Sequence, residues 1–308
     1  MKILVTGSNG LLGQKLIYKL RNRSDITCIA TARGENRLIK TDGYLYESMD
    51  ITNPDKVKEV LAKHKPDSVI HTAAMTNVDA CETDKEGAVD MNTNAVKYIV
   101  EALEELQKND TNYKPQLVHL STDFIFDGTH GPIDETEKPN PLSFYAETKL
   151  EAEKIVQESK LHWAIARTVL VYGIVDNMSR SNIVLWAKQN LEQGKKINVV
   201  DDQFRTPTLA EDLADGCILL ATKKAQGIYN ISGKDFMSIL QLVQTVADYY
   251  GLDKSLINPS KSADIKQPAK RPPITGFIID KAKRDLGYNP HSFTEGIKVM
   301  EEQLAAMK

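Results

Sequence analysis

Short runs of β-branched and apolar residues alternate with longer amphipathic segments along the chain. The longer segments carry apolar residues at intervals of three and four, as expected of helices packed on one face. This alternation predicts a parallel sheet with right-handed helical crossovers, a doubly wound α/β fold with helices on both faces. The predicted strands are KILVTG, ITCIATA, DSVIHTA, QLVHLST and HWAIART.

Two Asn-Pro pairs predict where helices begin. Asparagine accepts hydrogen bonds from free amides at a helix start, and proline is favoured at the first helical position. Asn53 and Pro54 therefore predict the start of the helix PDKVKEVLAKH. By the same reasoning, Asn140 and Pro141 predict the start of the helix that carries SFYAETKLEAEKIVQES.

The first strand continues directly into a glycine-rich turn and a helix, VTGSNGLLGQKL. Three glycines have the spacing GxxGxxG, in which missing side chains let a pyrophosphate approach backbone amides at the helix N-terminus. A plain strand-to-helix turn is the alternative, but the position directly after a strand favours dinucleotide binding. The residues of this turn that we expect to contact the cofactor are Gly7, Asn9, Gly10, Leu11, Leu12 and Gly13.

The end of the second predicted strand indicates which dinucleotide is bound. An acidic residue there would accept hydrogen bonds from the adenosine ribose, whereas the sequence has Thr31, Ala32 and Arg33. Arg33, together with Arg37, can pair with a 2′-phosphate through its fork of donors. NADP(H) is therefore predicted in preference to NAD(H), which stays an alternative, as does a solvated Arg33.

The segment SFYAETK places Tyr145 and Lys149 on one face of a predicted helix. A free tyrosine has a pKa of about 10, so it needs a nearby cation to serve as an acid or base at neutral pH. Ser121 and Thr122 end the strand QLVHLST, at the edge of the sheet where such folds bind ligands. Two exposed helix residues would share this spacing, so the prediction depends on its combination with the glycine turn.

The alternation weakens after about Gly173, which predicts two structural units. Residues 1–173 form a predicted dinucleotide-binding Rossmann domain, to which 205–233 return. Residues 174–204 and 234–308 form most of a smaller substrate-binding lobe. A stretch rich in lysine and proline, PSKSADIKQPAKRPP, predicts a loop in this lobe.

Composition restricts the classes of partner. The 308 residues are 41% hydrophobic and 26% charged, enough for a large core. A net charge of -3 with interspersed signs disfavours nucleic acid and membrane surfaces, so a small-molecule partner is expected. Cys28, Cys81 and Cys217 are isolated, which predicts a reducing cytoplasm and neither disulfides nor zinc. The scattered histidines are predicted to be satisfied structural residues, with no metal site, and Trp163 and Trp186 to be core residues.

Beyond these motifs, the chain resembles the extended short-chain dehydrogenases/reductases, and within them the dTDP-4-dehydrorhamnose reductase family, over nearly its whole length. The most specific stretch is STDFIFDGTHGPIDETEKPNPLSFYAETK, supported by HTAAMTNVDACE, DDQFRTPTLAEDLAD and RPPITGFIIDKAKRDLG. The resemblance implies reduction of a 4-keto sugar nucleotide by NAD(P)H. It makes Tyr145 the proton donor, assisted by Lys149, with Thr122 hydrogen bonded to the same oxygen.

The resemblance also implies further contacts. Those to the cofactor are Asp50, Ile51, Ala73, Ala74, Thr76, Asn92 and Thr168, besides Tyr145 and Lys149; those to the substrate are Thr122, Asp123, Phe124, Leu170 and Arg205. Asp50 has the alternative of a turn residue, and Asn92 that of a helix residue bonded to backbone. Leu170 replaces a tryptophan usual in these reductases. Arg205 replaces a common glycine and predicts a diphosphate clamp, with a surface ion pair as the alternative.

Related activities differ from this one at a few positions. Phe124 stands where sugar-nucleotide 4,6-dehydratases carry a second acid, which disfavours elimination. An epimerase would use the same tyrosine and stays open. The chain is also similar to the regulatory β subunit of methionine adenosyltransferase, a binding partner that needs no turnover. A homodimer is expected from the resemblance alone.

Overall fold

A computed structural model describes residues 1–177 and 182–307, and parallel strands form its centre. A seven-stranded sheet has the order β3-β2-β1-β4-β5-β6-β11, with every neighbouring pair parallel. The predicted doubly wound α/β fold is therefore confirmed. The strands are β1 (Lys2–Thr6), β2 (Thr27–Ala32), β3 (Leu45–Ser48), β4 (Ser68–His71), β5 (Gln116–Thr122), β6 (His162–Thr168), β7 (Val171–Tyr172), β8 (Ile197–Val200), β9 (Phe204–Arg205), β10 (Thr208–Leu209), β11 (Gly227–Asn230), β12 (Met237–Ser238) and β13 (Ile257–Ser260).

Helices cover both faces of this sheet. One core contains apolar side chains of α1, α8 and α10, and the other those of α2, α5 and α6. Burial on both faces explains the nearly continuous apolar runs of the central strands. The α-helices are α1 (Leu11–Leu20), α2 (Pro54–His64), α3 (Val78–Thr83), α4 (Lys85–Val89), α5 (Ala95–Asn109), α6 (Phe144–Glu158), α7 (Ile183–Glu192), α8 (Ala210–Thr222), α9 (Ile239–Tyr250), α10 (Asp280–Leu286) and α11 (Phe293–Ala306).

A separate apolar cluster lies among α7, α9, α11 and two short strands. It includes Val184, Leu191, Val246 and Met300, all at most 4% exposed. Strands β8 and β13 pair in parallel beside it. The predicted lobe segments include 178–181 and 308, which lie outside the described residues.

Strand order places a crevice at the carboxyl end of the large sheet. The chain leaves β1 through α1 toward β2, while β4 pairs with the other side of β1. Connections on opposite sides of β1 leave the ends of β1 and β4 uncovered, and open α/β sheets bind ligands at this point.

The two Asn-Pro predictions have different outcomes. Asn53 is the N-cap of α2, and its side chain accepts from Lys56 N at 3.1 Å. The prediction for Asn140 is wrong, because the N-cap of α6 is Ser143, whose hydroxyl accepts from Ala146 N. Asn140 instead donates from Nδ2 to Asp127 Oδ2 at 2.8 Å, which holds it in the preceding loop.

The predicted loop over residues 259–273 is partly wrong. Its first two residues belong to β13, which is stabilised by pairing with β8, a partner distant in sequence. A short 3₁₀-helix follows at Ser262–Asp264. No helix in the described chain is long and apolar enough to cross a bilayer.

Candidate active site

The turn between β1 and α1 is shaped by close backbone contacts. Gly7 has a φ of +69°, and a Cβ there would lie 2.9 Å from Ala73 Cα. A Cβ on Gly13 would lie 2.1 Å from Gly7 O, so only glycine fits. Gly10 is the N-cap of α1 and has no side chain to cap the first amides, which begin at Leu11 and Leu12. Uncapped amides with no side chain before them suit a pyrophosphate.

Asn9 organises the loop that follows β2. Its Nδ2 donates to Glu35 O and its Oδ1 accepts from Arg37 N, both at 2.9 Å. Arg33 follows β2 directly and is exposed, with no hydrogen bond or ion pair to the described residues. Its guanidinium is therefore free for an external anion, whereas the side chain of Asn9 is used within the protein.

Asp50 makes the contacts of a turn residue, which is the alternative that the sequence allowed. Its Oδ1 accepts from Thr52 N at 3.0 Å and from Thr52 Oγ1 at 2.8 Å, as in an Asx-turn. Its carbonyl accepts from Asn53 N at 3.1 Å. Ile51 is 5% exposed and packs in the core with α2. Contact of these two residues with adenine stays a prediction.

The segment after β4 is tied to the glycine turn and to α6. Ala73 N donates to Thr6 Oγ1, and Ala74 and Thr76 follow it. Asn92, in a π-helix at Asp90–Asn94, is 1% exposed. Its Nδ2 donates to Met75 O and to Thr148 Oγ1, each at 3.1 Å. Both amide donors of Asn92 are thus used within the protein, and its contact with the cofactor stays a prediction.

Thr122, Asp123 and Tyr145 converge where β5 ends and α6 begins. The Thr122 hydroxyl donates to Asp123 Oδ1 at 3.1 Å and accepts from Phe124 N at 3.2 Å. Burial raises the pKa of Tyr145, and the nearby Thr122 side chain opposes this rise. The phenol therefore keeps its proton at neutral pH. Thr168, the register partner of Thr122 on β6, lies beside it.

Lys149 lies one helical turn beyond Tyr145 and is 4% exposed. Its Nζ donates to Leu120 O at 2.6 Å and lies 3.4 Å from His119 Nε2. Burial lowers the pKa of Lys149 to about 8, opposed by the charge of Glu153. A buried cation therefore lies one helical turn along α6 from the tyrosine, bonded to the neighbouring strand.

Arg205 is buried, so the surface ion pair considered from sequence is wrong. Its guanidinium donates to the backbone carbonyls of Phe204, Pro272 and Pro273 at 2.7 to 2.9 Å. Its Nε lies 3.6 Å from Asp123 Oδ2. Three of its N–H groups are thus occupied by carbonyls.

A cavity of about 270 Å³ lies next to these residues. Phe124, Leu170 and Arg205, three of the predicted substrate contacts, line it. Leu170 has a φ of +38°, a left-handed conformation that is uncommon for leucine. Trp186 also lines the cavity and is 38% exposed, so its assignment to the core is wrong. The sequence did not reveal this exposure of Trp186, because its apolar neighbours on α7 continue the pattern of a buried helix face.

Two residues of interest carried too little signal in the sequence to be found. Arg271 lines the cavity and forms a two-point ion pair with Asp79, at 2.7 and 3.2 Å. Its signal was only its place in RPPITG, within the resemblance. The scattered histidines predict a satisfied side chain at His119, but its Nδ1 is buried without a hydrogen-bond partner in the described structure. No group of three or more His, Cys, Asp or Glu residues there is placed to hold a metal.

This fold, with a glycine-rich turn directly after β1, is that of the extended short-chain dehydrogenase/reductase class. The chain belongs to the RmlD substrate binding domain family, whose model matches residues 1–306. The resemblance inferred from the sequence motifs is thereby confirmed.

Individual relatives are of two kinds. The methionine adenosyltransferase 2 subunit beta of Xenopus tropicalis is 30% identical over 264 residues, covering 84% of this chain and 75% of the relative. A probable dTDP-4,6-dihydroxy-2-methyloxan-3-one 4-ketoreductase of Streptomyces antibioticus is 30% identical over 275 residues, covering 88% and 85%.

Solved structures match the whole chain. A dTDP-4-dehydrorhamnose reductase from Clostridium acetobutylicum has a TM-score of 0.85 at 27% identity, covering 99% of this chain and 100% of that one. The dTDP-4-dehydrorhamnose reductase of Bacillus anthracis, in complex with NADP, has a TM-score of 0.82 at 25% identity, covering 98% and 99%.

Proposed function

We propose that this chain reduces the keto group of a 4-keto sugar nucleotide with NADPH. The observation that carries the proposal is the convergence of Tyr145 and Thr122 at the end of β5, with the buried Lys149 one helical turn further along α6 and bonded to Leu120 O. A cavity lined by Arg205 adjoins this group. The reductase and ketoreductase relatives support this reaction class.

The cofactor site of this proposal is the turn at Gly7, Gly10 and Gly13. Uncapped amides of α1 would hold the pyrophosphate, and the free guanidinium of Arg33 would bind a 2′-phosphate. NADPH supplies the hydride when bound. NAD(H) would lack the charge that pairs with Arg33, so we propose it as the weaker cofactor.

Protonation of the substrate is assigned to side chains of this chain. Tyr145, whose pKa is raised by burial, keeps its proton until an alkoxide forms beside it and then donates that proton. The Thr122 hydroxyl must rotate away from Asp123 to donate to the same oxygen. Lys149 stabilises the phenolate left behind. Positioned acid catalysis of this kind contributes about 10²–10⁴-fold.

The substrate would occupy the cavity with its diphosphate toward the two arginines. Arg271 has the more exposed side chain, 19% against 4% for Arg205. We therefore propose Arg271 as an additional phosphate ligand, while the predicted clamp by Arg205 depends on its one remaining N–H group, because its Nε faces Asp123. Leu170 and Trp186 supply apolar contact.

The test is NADPH oxidation with dTDP-4-dehydrorhamnose generated in the cuvette, comparing wild type with Tyr145→Phe. We expect turnover in the wild type and a loss of about 10²-fold or more in the variant, with NADPH binding unchanged. Loss of tight NADPH binding in the variant would assign Tyr145 a structural role. Wild-type protein that interconverts sugar stereoisomers without net NADPH consumption would indicate the epimerase alternative.

The methionine adenosyltransferase relatives favour a second candidate, a nucleotide-binding regulatory subunit. Its test is size-exclusion chromatography of this chain mixed with a methionine adenosyltransferase. Co-elution, in the absence of turnover with any keto sugar nucleotide, would replace the reductase proposal. The same experiment without the synthetase tests the proposed homodimer.

The domain limits and the compartment also belong to this proposal. We assign 1–173 with 205–233 to cofactor binding and 174–204 with 234–308 mainly to the substrate.

Cys28, Cys81 and Cys217 are free and buried, which supports a reducing cytoplasm.

A further inference from the structure

A row of buried polar side chains crosses three strands of the sheet behind the proposed active site. Thr6 on β1, His71 on β4 and His119 on β5 occupy one register position. His71 and His119 are 2% and 0% exposed, and their rings stack with centroids 5.6 Å apart and planes at 21°. The row ends at Lys149, 3.4 Å from His119 Nε2.

The hydrogen bonds of Thr6 determine the tautomer of His71. Thr6 Oγ1 accepts from the backbone amides of Thr72 and Ala73, at 3.1 and 3.3 Å. Its own proton is therefore directed to His71 Nδ1, 2.7 Å away, which leaves the proton of His71 on Nε2. The ring on which His119 stacks is thus held by the backbone next to the glycine turn.

The contact with Lys149 determines the tautomer of His119. An ammonium group only donates, so His119 Nε2 must accept and Nδ1 must carry the proton. That Nδ1 is buried and has no partner among the described residues. A carbon ring would fill the same space without an unpaired polar atom, so stability does not account for histidine here.

We propose that His119 is a positioning residue for Lys149: it accepts one N–H of the ammonium and so directs another toward the cleft. An ammonium has three donors, of which Leu120 O takes one and His119 Nε2 a second. The third is then oriented for the tyrosine or a ligand. The catalytic consequence rests on the proposed reductase function, but the contact itself does not.

Other charged groups near Lys149 are already paired or neutral. Glu153, one turn further along α6, forms a two-point ion pair with Arg167 of β6, at 2.7 and 2.9 Å. Burial, with the charge of Lys149 second, lowers the pKa of both histidines, that of His71 to about 3. His119 therefore stays neutral and keeps its lone pair for Lys149 at neutral pH.

The test is direct titration of Lys149 by NMR in full-length protein labelled with ¹³Cε-lysine, its signal assigned by loss in Lys149→Met. His119→Leu removes the acceptor, so the pKa of Lys149 should fall by about one pH unit. His119→Gln places an amide oxygen near the Nε2 position and should restore most of the difference. Ser121→Ala, two residues along the same strand, is the control and should leave the titration unchanged.

The outcomes separate this inference from the proposed function. An unchanged Lys149 titration in His119→Leu overturns the inference, even in an active reductase. A lowered titration that glutamine rescues supports it, even if no substrate turns over. If His119→Leu does not fold, His119→Met serves instead. In an active enzyme, kcat in His119→Leu should fall about tenfold while the KM for NADPH changes less than threefold. The pH at which kcat begins to decrease should shift by the same amount as the pKa of Lys149 measured by NMR.

Discussion

Arg205 and Asp123 form a buried ion pair next to the cavity lined by Phe124 and Leu170, with side chains 4% and 3% exposed and Nε and Oδ2 3.6 Å apart. Burial raises the pKa of Asp123, and the charge of Arg205 is the largest opposing influence. Thr275 donates a further hydrogen bond to the same carboxylate oxygen. The pair therefore connects the end of β5 to β9. Through the hydrogen bonds of Arg205 it also connects both to the loop, here called the strap, that contains Pro272 and Pro273.

Removing Arg205 should destabilise the fold strongly. Arg205→Met leaves Asp123 buried without its cation and three carbonyls without donors, so we expect a loss of about 3–5 kcal/mol in the free energy of unfolding. Urea denaturation measures this. The control is Arg271→Met, whose more exposed pair with Asp79 should contribute about 1 kcal/mol or less. Equal losses in the two variants would contradict the role given to the buried pair.

Activity should decline at high pH through Lys149. Burial lowers its pKa to about 8, so the ammonium is lost as the pH rises through this value, while the raised pKa of Tyr145 keeps the phenol protonated. We expect kcat with saturating substrates to decrease about tenfold per pH unit above that point. Measurement from pH 6.5 to 10 tests this. Lys149→Arg, which keeps its charge throughout this range, should show no decrease of kcat at high pH. The same decrease in both proteins would show that a group other than Lys149 causes it.

The buried histidines should make the fold sensitive to acid. Burial lowers the pKa of His71 in the folded chain to about 3, whereas an ordinary histidine has a pKa of about 6.5, so the unfolded chain binds the proton first as the pH falls. Its contribution to stability is therefore complete above pH 6.5 and is lost progressively toward pH 3, by about 1.4 kcal/mol per pH unit.

His71→Phe keeps a ring for the stack on His119 but does not titrate. Urea unfolding at several values between pH 4 and 6 should therefore show a shallower loss of stability in this variant than in the wild type. The range from pH 7 to 8 is the internal control, because the wild-type histidine is neutral in both states there. Parallel curves throughout would show that His71 is not neutral in the folded protein.

Arg33 should determine the preference for NADPH. Charge-assisted hydrogen bonds to the 2′-phosphate contribute about 1.5–3 kcal/mol, so Arg33→Ala should weaken NADPH binding about 10–100-fold and leave NADH binding unchanged. Isothermal titration with both cofactors measures this. Arg23→Ala is the matched control, since Arg23 is paired with Asp25 just before β2. Equal loss for NADPH and NADH would indicate that Arg33 does not contact the 2′-phosphate.

The sequence by itself determined features that depend on neighbours along the chain. The glycine turn, the five strands and the spacing of Tyr145 and Lys149 are all local patterns, and the fold they predict is confirmed. Thr122 was found in the same way, at the end of a predicted strand, and its catalytic role stays a prediction. Local signals are also what misplaced the start of α6, because Asn140 and Ser143 are both good caps and only the loop contact to Asp127 separates them.

Tertiary structure alone decided the contacts between distant segments. Arg205 is buried because the carbonyls of Pro272 and Pro273 come to it from a strap that the sequence described only as a loop. Trp186 is exposed because its helix borders a cavity. The partners of Lys149 were fixed by strand register, which sets His119 beside His71 and Thr6. Strand register and loop packing depend on contacts between segments that are distant in sequence, and the pattern of apolar and polar positions does not specify those contacts.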